Sequence, residues 1–163
     1  RMGMLATAMN CLAVCDVFTQ TGVKAKVMTA VDIQGVGERY DTKKAIEYME
    51  NGTVVLFGCG TGMPFFSTDT AAALRAVEVR ADALLLAKNI DGVYDSDPRK
   101  NPDATKLEHI AYMDVMNQKL SVMDFTSITM CMENNLPIVA FGLDEENSIV
   151  RAAMGEKIGT VID

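Results

Sequence analysis

The stretch GCGTGMPFFSTDTAAALRA, residues 58–76, sets glycines, a row of hydroxyls and two adjacent aromatics between an apolar run and an alanine-rich one. The preceding TVVLF, 53–57, is β-branched and apolar enough for a buried strand, and TAAALRAVEV is made of strong helix formers. The residues between form a strand-to-helix connection. Glycines there expose backbone N–H groups, and a helix opening at Ser67, Thr68 or Asp69 adds further donors and the positive end of its dipole. Such a place suits an anion, above all a phosphate. Gly-rich turns serve packing as readily, and Thr68 and Asp69 are capping residue types. Capping is the role expected of Asp69, because a carboxylate turned toward phosphate is repelled.

Two further places carry chemistry-bearing side chains. Residues 88–106 hold NIDGVYDSDPRKNPDA, whose Asp, Gly and Pro are turn formers, so this segment reads as a loop in which Asp91, Gly92 and Pro98 are structural. Asp124 stands directly before FTSITMCME, the place of a helix N-cap. The cysteines, Cys11, Cys15, Cys59 and Cys131, include no CxxC pair, and His109 is the only histidine, so no zinc set is present. Buried reduced thiols are expected, with Cys11 and Cys15 four apart on one helix and both toward the core. His109 reads as a surface or packing residue, and the twelve methionines as core filling.

The elements that must position these groups alternate along the chain. Residues 2–20 place Leu5, Ala8, Leu12, Cys15 and Phe18 near a 3.6 period with Gly22 as a stop, predicting a helix. Strands are predicted at 24–31, 53–57, 83–87, from Pro137 onward and at 159–162. Further helices are predicted at 41–51 with Asp41 or Thr42 as cap, near 69–79, 112–118, 124–134 and 147–154. Alternation of helices with continuous apolar strands implies an α/β fold with a mainly parallel sheet covered on both faces. Ligands of such sheets lie beyond the carboxyl ends of strands, so the 58–68 and 88–97 loops are expected at one edge of one sheet.

At 163 residues and 49% hydrophobic content the chain has enough material for a core, and with no repeat or linker it reads as a single domain, 1–163. A net charge of −7 argues against sequence-independent binding to nucleic acid or to anionic membrane. No apolar run is read as reaching the length of a membrane span, no signal-peptide layout is seen, and a cytoplasmic location is expected.

The strings GTGMPFFSTDTAAALRA, IDGVYDSDPRKNPDA, VMDFTS and NNLPIVAF, in this order and spacing, together with the opening MGMLATAMN, resemble the bacterial uridylate kinases of the amino acid kinase superfamily. The resemblance implies a three-layer αβα sandwich of the carbamate kinase-like type. It further implies phosphoryl transfer from ATP to UMP, with Mg²⁺ on the ATP phosphates and a homo-oligomer, hexameric in the family. The resemblance puts Thr61, Gly62, Met63, Pro64, Phe65, Phe66, Ser67 and Thr68 at the UMP site, with Phe65 and Phe66 either shaping its wall or packing in the core. It puts Lys88, Tyr94 and Asp97 at the ATP site, Tyr94 against the adenine or ribose and Asp97 accepting from a ribose hydroxyl. Asp124 matches a catalytic-site aspartate, a role compatible with capping. The family often has Asn at the place of Met63 and Thr at that of Lys88. Its K-x-S-G and G-G-G-N segments have no counterpart in this sequence, so the chain is expected to be the C-terminal two thirds of such an enzyme. The alternatives are an aspartate, glutamate or carbamate kinase-like relative, or a non-catalytic nucleotide-binding or regulatory module.

Overall fold

The structure, a computed structural model, describes residues 2–163. They form two compact units, one ending at Val79 and one running from Arg80 to Asp163. The first contains α1 (Met2–Gln20), β1 (Ala25–Thr29), β2 (Glu38–Arg39), α2 (Thr42–Glu50), β3 (Val54–Gly58) and α3 (Thr68–Glu78). Its strands are all parallel in the order β2-β1-β3, with Val27 opposite Leu56 and Met28 opposite Glu38. Asp41 is the N-cap of α2: its Oδ1 accepts from the Lys44 N–H at 2.9 Å, as its residue type predicts.

Helix α1 lies on β1 and β3 along one side of its surface. Ala8 is buried, Met4, Thr7, Cys11, Cys15 and Phe18 are half-buried, and Leu5 and Leu12 are exposed. The approach is close because neither surface carries bulk there: a Cβ added to Gly58 would lie 3.3 Å from the Cα of Ala8. The expected stripe is therefore corrected at Leu5 and Leu12. Periodicity marks this helix as apolar, but apolar residues on more than one side leave its buried direction undefined. The helix is also long and apolar enough to cross a membrane by length and composition, which corrects the reading that no run reaches that length. Its only charged residue is Asp16.

The second unit contains β4 (Leu84–Lys88), β5 (Val93–Tyr94), β6 (Lys106–Leu107), β7 (His109–Ile110), α4 (Tyr112–Asn117), α5 (Phe125–Glu133), β8 (Ile138–Gly142), α6 (Ser148–Ala153) and β9 (Thr160–Ile162). Its main sheet has the order β4-β8-β9-β7, parallel at β4/β8 and β7/β9 and antiparallel at β8/β9. Strands β5 and β6 form a separate antiparallel pair. Val115, Ile128, Cys131, Ile138, Phe141 and Ile162 are almost wholly buried and supply the core of this unit. The Tyr112 hydroxyl donates to the Leu136 carbonyl, joining the start of α4 to the approach to β8.

Every predicted long element is present, displaced by a residue or two at its ends. The two-residue strands β2, β5, β6 and β7 were not foreseen, because a two-residue bridge has no periodicity to read. Among the described residues β3 bonds to β1 and β4 bonds to β8 in different sheets, which corrects the expectation of one shared sheet edge. Only Cys59 and Cys131 are buried; Cys11 and Cys15 are half-buried, because α1 packs on one side alone. Met28 and Met123 fill core positions, whereas Met2, Met9, Met63 and Met154 are exposed, so core filling accounts for only some methionines. His109 lies at the surface, paired with Asp163.

Candidate functional site

The first loop leaves β3 through Cys59, whose φ of 69° begins the turn and whose N–H donates to the Thr7 Oγ1 of α1 at 2.8 Å. The Thr61 Oγ1 accepts from the Met63 N–H at 3.2 Å, so this hydroxyl holds the loop's own backbone. Residues 63–68 are exposed. Phe65 and Phe66 therefore do not pack in the core, and Phe65 is held at φ 69°, an uncommon conformation for a bulky residue.

The cap of α3 is Ser67. Its backbone is extended and its Oγ accepts from the Thr70 N–H at 2.9 Å. This corrects the assignment of Asp69, which already lies in the first helical turn, where its negative charge complements the dipole instead. Thr68 is the first helical residue. Sequence reasoning missed Arg75, whose buried guanidinium lies 3.8 Å from the centre of the Tyr40 ring. Its Nη1 donates to Glu78 at 2.5 Å and its Nη2 to the Gly60 carbonyl at 3.4 Å, tying α3 back to the loop. Arginine among helix formers carries no local sign of such a role.

In the second unit, Lys88, Tyr94 and Asp97 line one cavity of about 520 Å³. Lys88 ends β4, where its carbonyl accepts from the Leu143 N–H at 2.8 Å. The Tyr94 hydroxyl donates to Asp91 Oδ1 at 2.9 Å. Asp97 Oδ1 accepts from the Arg99 N–H at 3.0 Å and from its Nε at 3.2 Å, and these donors hold its carboxyl below the usual range. The far wall comes from Gln118–Val122, between α4 and α5, where Lys119 adopts φ 53°. This wall was also missed, since a short polar gap between two helices is indistinguishable from any connection.

Lys88, Arg99 and Lys119 bring three cations to the cavity, against the carboxylates of Asp95 and Asp97. With an aromatic ring beside them, the lining can take a ligand having an anionic end, hydroxyls and a flat apolar part. Asp124 follows Val122 by two residues and is the N-cap of α5, its Oδ1 accepting from the Ser127 N–H at 2.9 Å. Among the described residues no group of three or more His, Cys, Asp or Glu side chains is placed to hold a metal ion.

The profile of the amino acid kinase family matches residues 1–141. A uridylate kinase of Arthrobacter sp. (strain FB24) is 50% identical over 162 residues, 99% of this chain and 66% of that protein. The crystal structure of a UMP kinase from Bacillus anthracis superposes with a TM-score of 0.95 at 37% identity, covering 99% of this chain and 67% of that one. A UMP kinase from Ureaplasma parvum gives a TM-score of 0.93 at 36% identity, with coverages of 99% and 69%. The chain thus spans slightly under two thirds of the Arthrobacter protein.

Proposed function

Since the chain belongs to the amino acid kinase family, we propose that it works in the transfer of a phosphoryl group from ATP to UMP, giving ADP and UDP. The observation that carries this reading is the convergence of Lys88, Tyr94 and Asp97 on one cavity of nucleotide size. The names of the Arthrobacter and Bacillus relatives favour uridylate over aspartate, glutamate or carbamate as acceptor.

In this reading ATP occupies the second-unit cavity. The Tyr94 ring lies against its adenine or ribose, the ionised Asp97 accepts from a ribose hydroxyl, and Lys88 neutralises phosphate charge. UMP is held by residues 61–68, where the N–H groups of the loop and the first turn of α3 face its phosphate. Arg75 keeps that loop in shape. Phosphoryl transfer asks little covalent chemistry of a protein, which must hold donor and acceptor in line and offset the charge on the moving group. A Mg²⁺ ion bound with ATP would supply part of that compensation, with Lys88 supplying the protein's share. Asp124, while capping α5, would help to order the cations gathered around the phosphates.

The family profile crosses the boundary at Val79, which supports treating the two units as parts of one family domain. Exposed apolar side chains along α1, with Met2 88% and Met9 70% accessible, support self-association into the hexamer implied by the resemblance. Reduced cysteines and the acidic charge fit a cytoplasmic enzyme.

The test uses two proteins: the 163-residue chain, and a chimera joining it behind the N-terminal third of the Arthrobacter uridylate kinase. We expect the chain alone to bind ATP without measurable turnover, because the lysine and Gly-rich segments implied by the resemblance are not in its sequence, and the chimera to form UDP from UMP. A chimera that phosphorylates aspartate, glutamate or carbamate in preference to UMP overturns the acceptor. ATP binding with no phosphoryl transfer to any acceptor by the chimera returns the reading to a non-catalytic nucleotide-binding module.

A further inference from the structure

We propose that the Asp91–Lys106 ion pair is a positioning device that fixes the Tyr94 ring as a wall of the nucleotide cavity; the inference rests on the reading of that cavity as the ATP site. Tyr94 lies on β5, directly opposite Lys106 on β6 in the antiparallel register. Opposite residues of such a pair project to the same face, so the two side chains are neighbours by construction. Asp91 joins them: its Oδ1 accepts from the Tyr94 hydroxyl at 2.9 Å and its Oδ2 from Lys106 Nζ at 2.9 Å. Tyr94 lines the cavity, whereas Asp91 and Lys106 are not among its lining residues. They act through the tyrosine.

The backbone around this link is prepared for it. The Thr160 Oγ1 of β9 accepts from the Val93 N–H at 2.8 Å and donates to the Leu107 carbonyl at 2.5 Å, so one hydroxyl anchors both short strands. Gly92 leaves the lysine its path: a Cβ there would lie 2.9 Å from Lys106 Cδ and 2.8 Å from Thr160 Oγ1. A two-residue ladder has little stability of its own, so the orientation of Tyr94 depends on these side-chain links. The titration of all three groups agrees with the geometry. Lys106 first, with Tyr94 adding, holds the Asp91 carboxyl below its usual range; Asp91 raises both the phenol and the ammonium. Asp91 thus reads as more than the turn former its sequence context implies.

The experiment measures ATP affinity of the 163-residue chain by calorimetry, with thermal unfolding of every variant as a control. Lys106→Met is expected to weaken ATP binding about fivefold, Lys106→Arg to restore it, and Tyr94→Phe placed on Lys106→Met to add little further loss, as members of one network do. Alkaline absorbance titration, with Tyr94→Phe subtracted to isolate that phenol, should show it returning toward the ordinary tyrosine range in Asp91→Asn. Wild-type ATP binding with unchanged affinity in a folded Lys106→Met variant overturns the positioning role alone. An unfolded Lys106→Met variant leaves the decision to Asp91→Asn, where unchanged affinity overturns it equally. Failure of the wild-type chain to bind ATP overturns the nucleotide reading, and the proposed role with it.

Discussion

Asp124 caps α5, and a single substitution separates that role from the proposed catalytic one. Asparagine caps helices about as well as aspartate, so Asp124→Asn keeps the bond to the Ser127 N–H and should leave the melting temperature nearly unchanged. Removing the charge should lower kcat of the chimera at least about tenfold, some 1.4 kcal/mol of transition-state stabilisation. Asp124→Ala should in addition lower stability by about 1 kcal/mol through loss of the cap. Equal kcat in wild type and Asp124→Asn would leave the residue a cap alone. In the first loop, Thr68 starts α3 and is exposed, unlike Thr61, whose hydroxyl is engaged by its own loop. Thr68→Val in the chimera is therefore expected to weaken UMP by about 1.5 to 3 kcal/mol, the worth of a hydrogen bond to a charged group, with ATP affinity little altered. Calorimetric titration with each nucleotide decides it, and matching losses would remove the division of labour between the two loops.

Among the elements, α4 and α5 meet around two groups whose protons are held by burial. Tyr112 is buried with its hydroxyl on the Leu136 carbonyl, and burial first, then the nearby Cys131 and Asp163, pushes its phenol up to about 12 from an ordinary 10. Burial alone pushes the Cys131 thiol up to about 11 from 9. Both folded-state values are raised, so the unfolded chain releases these protons first and stability must fall as pH rises. The contribution is intact below about pH 9 and is lost through about pH 11 for the thiol and about pH 12 for the phenol. Tyr112→Phe should flatten the upper part of this decline while lowering stability near neutral pH by about 1 to 3 kcal/mol, because the Leu136 carbonyl loses its donor. Urea unfolding at pH 8, 10 and 11.5 measures both effects. A variant as pH-sensitive as wild type would mean that other groups govern the alkaline limb.

For the whole molecule, α1 is the most consequential surface. Met2, Leu5, Met9, Val14 and Val17 are exposed on a helix whose only charged residue is Asp16. A patch of this kind on a monomer is costly to leave in water, and covering it with the same helix of another copy is the simplest remedy. Leu5→Lys combined with Met9→Lys should lower the oligomeric state of the chimera, read by light scattering coupled to size-exclusion chromatography. The fold of the chain should survive, because both side chains are exposed. An unchanged mass would move the contact to another surface.

The sequence by itself determined the order of the elements, their type and most of their ends. Helix propensity, capping and strand patterning act within a few residues, and Asp41, Gly22 and the apolar strands carry those signals locally. The resemblance of its motifs to the uridylate kinases also pointed to Lys88, Tyr94, Asp97 and Asp124 as candidates, and the first three line one cavity. Only the tertiary structure decided which of several apolar sides of α1 is buried, since Leu5 and Ala8 are equally compatible with a core until the sheet beneath them is known. Only it chose Ser67 over Asp69 as the cap, because the choice depends on where the chain leaves the extended conformation. Bringing Gln118–Val122 to face Tyr94, and Arg75 to face Tyr40 and Gly60, likewise depends on contacts between residues far apart in sequence. Those contacts follow from close packing of whole elements, and no local pattern of residues encodes them.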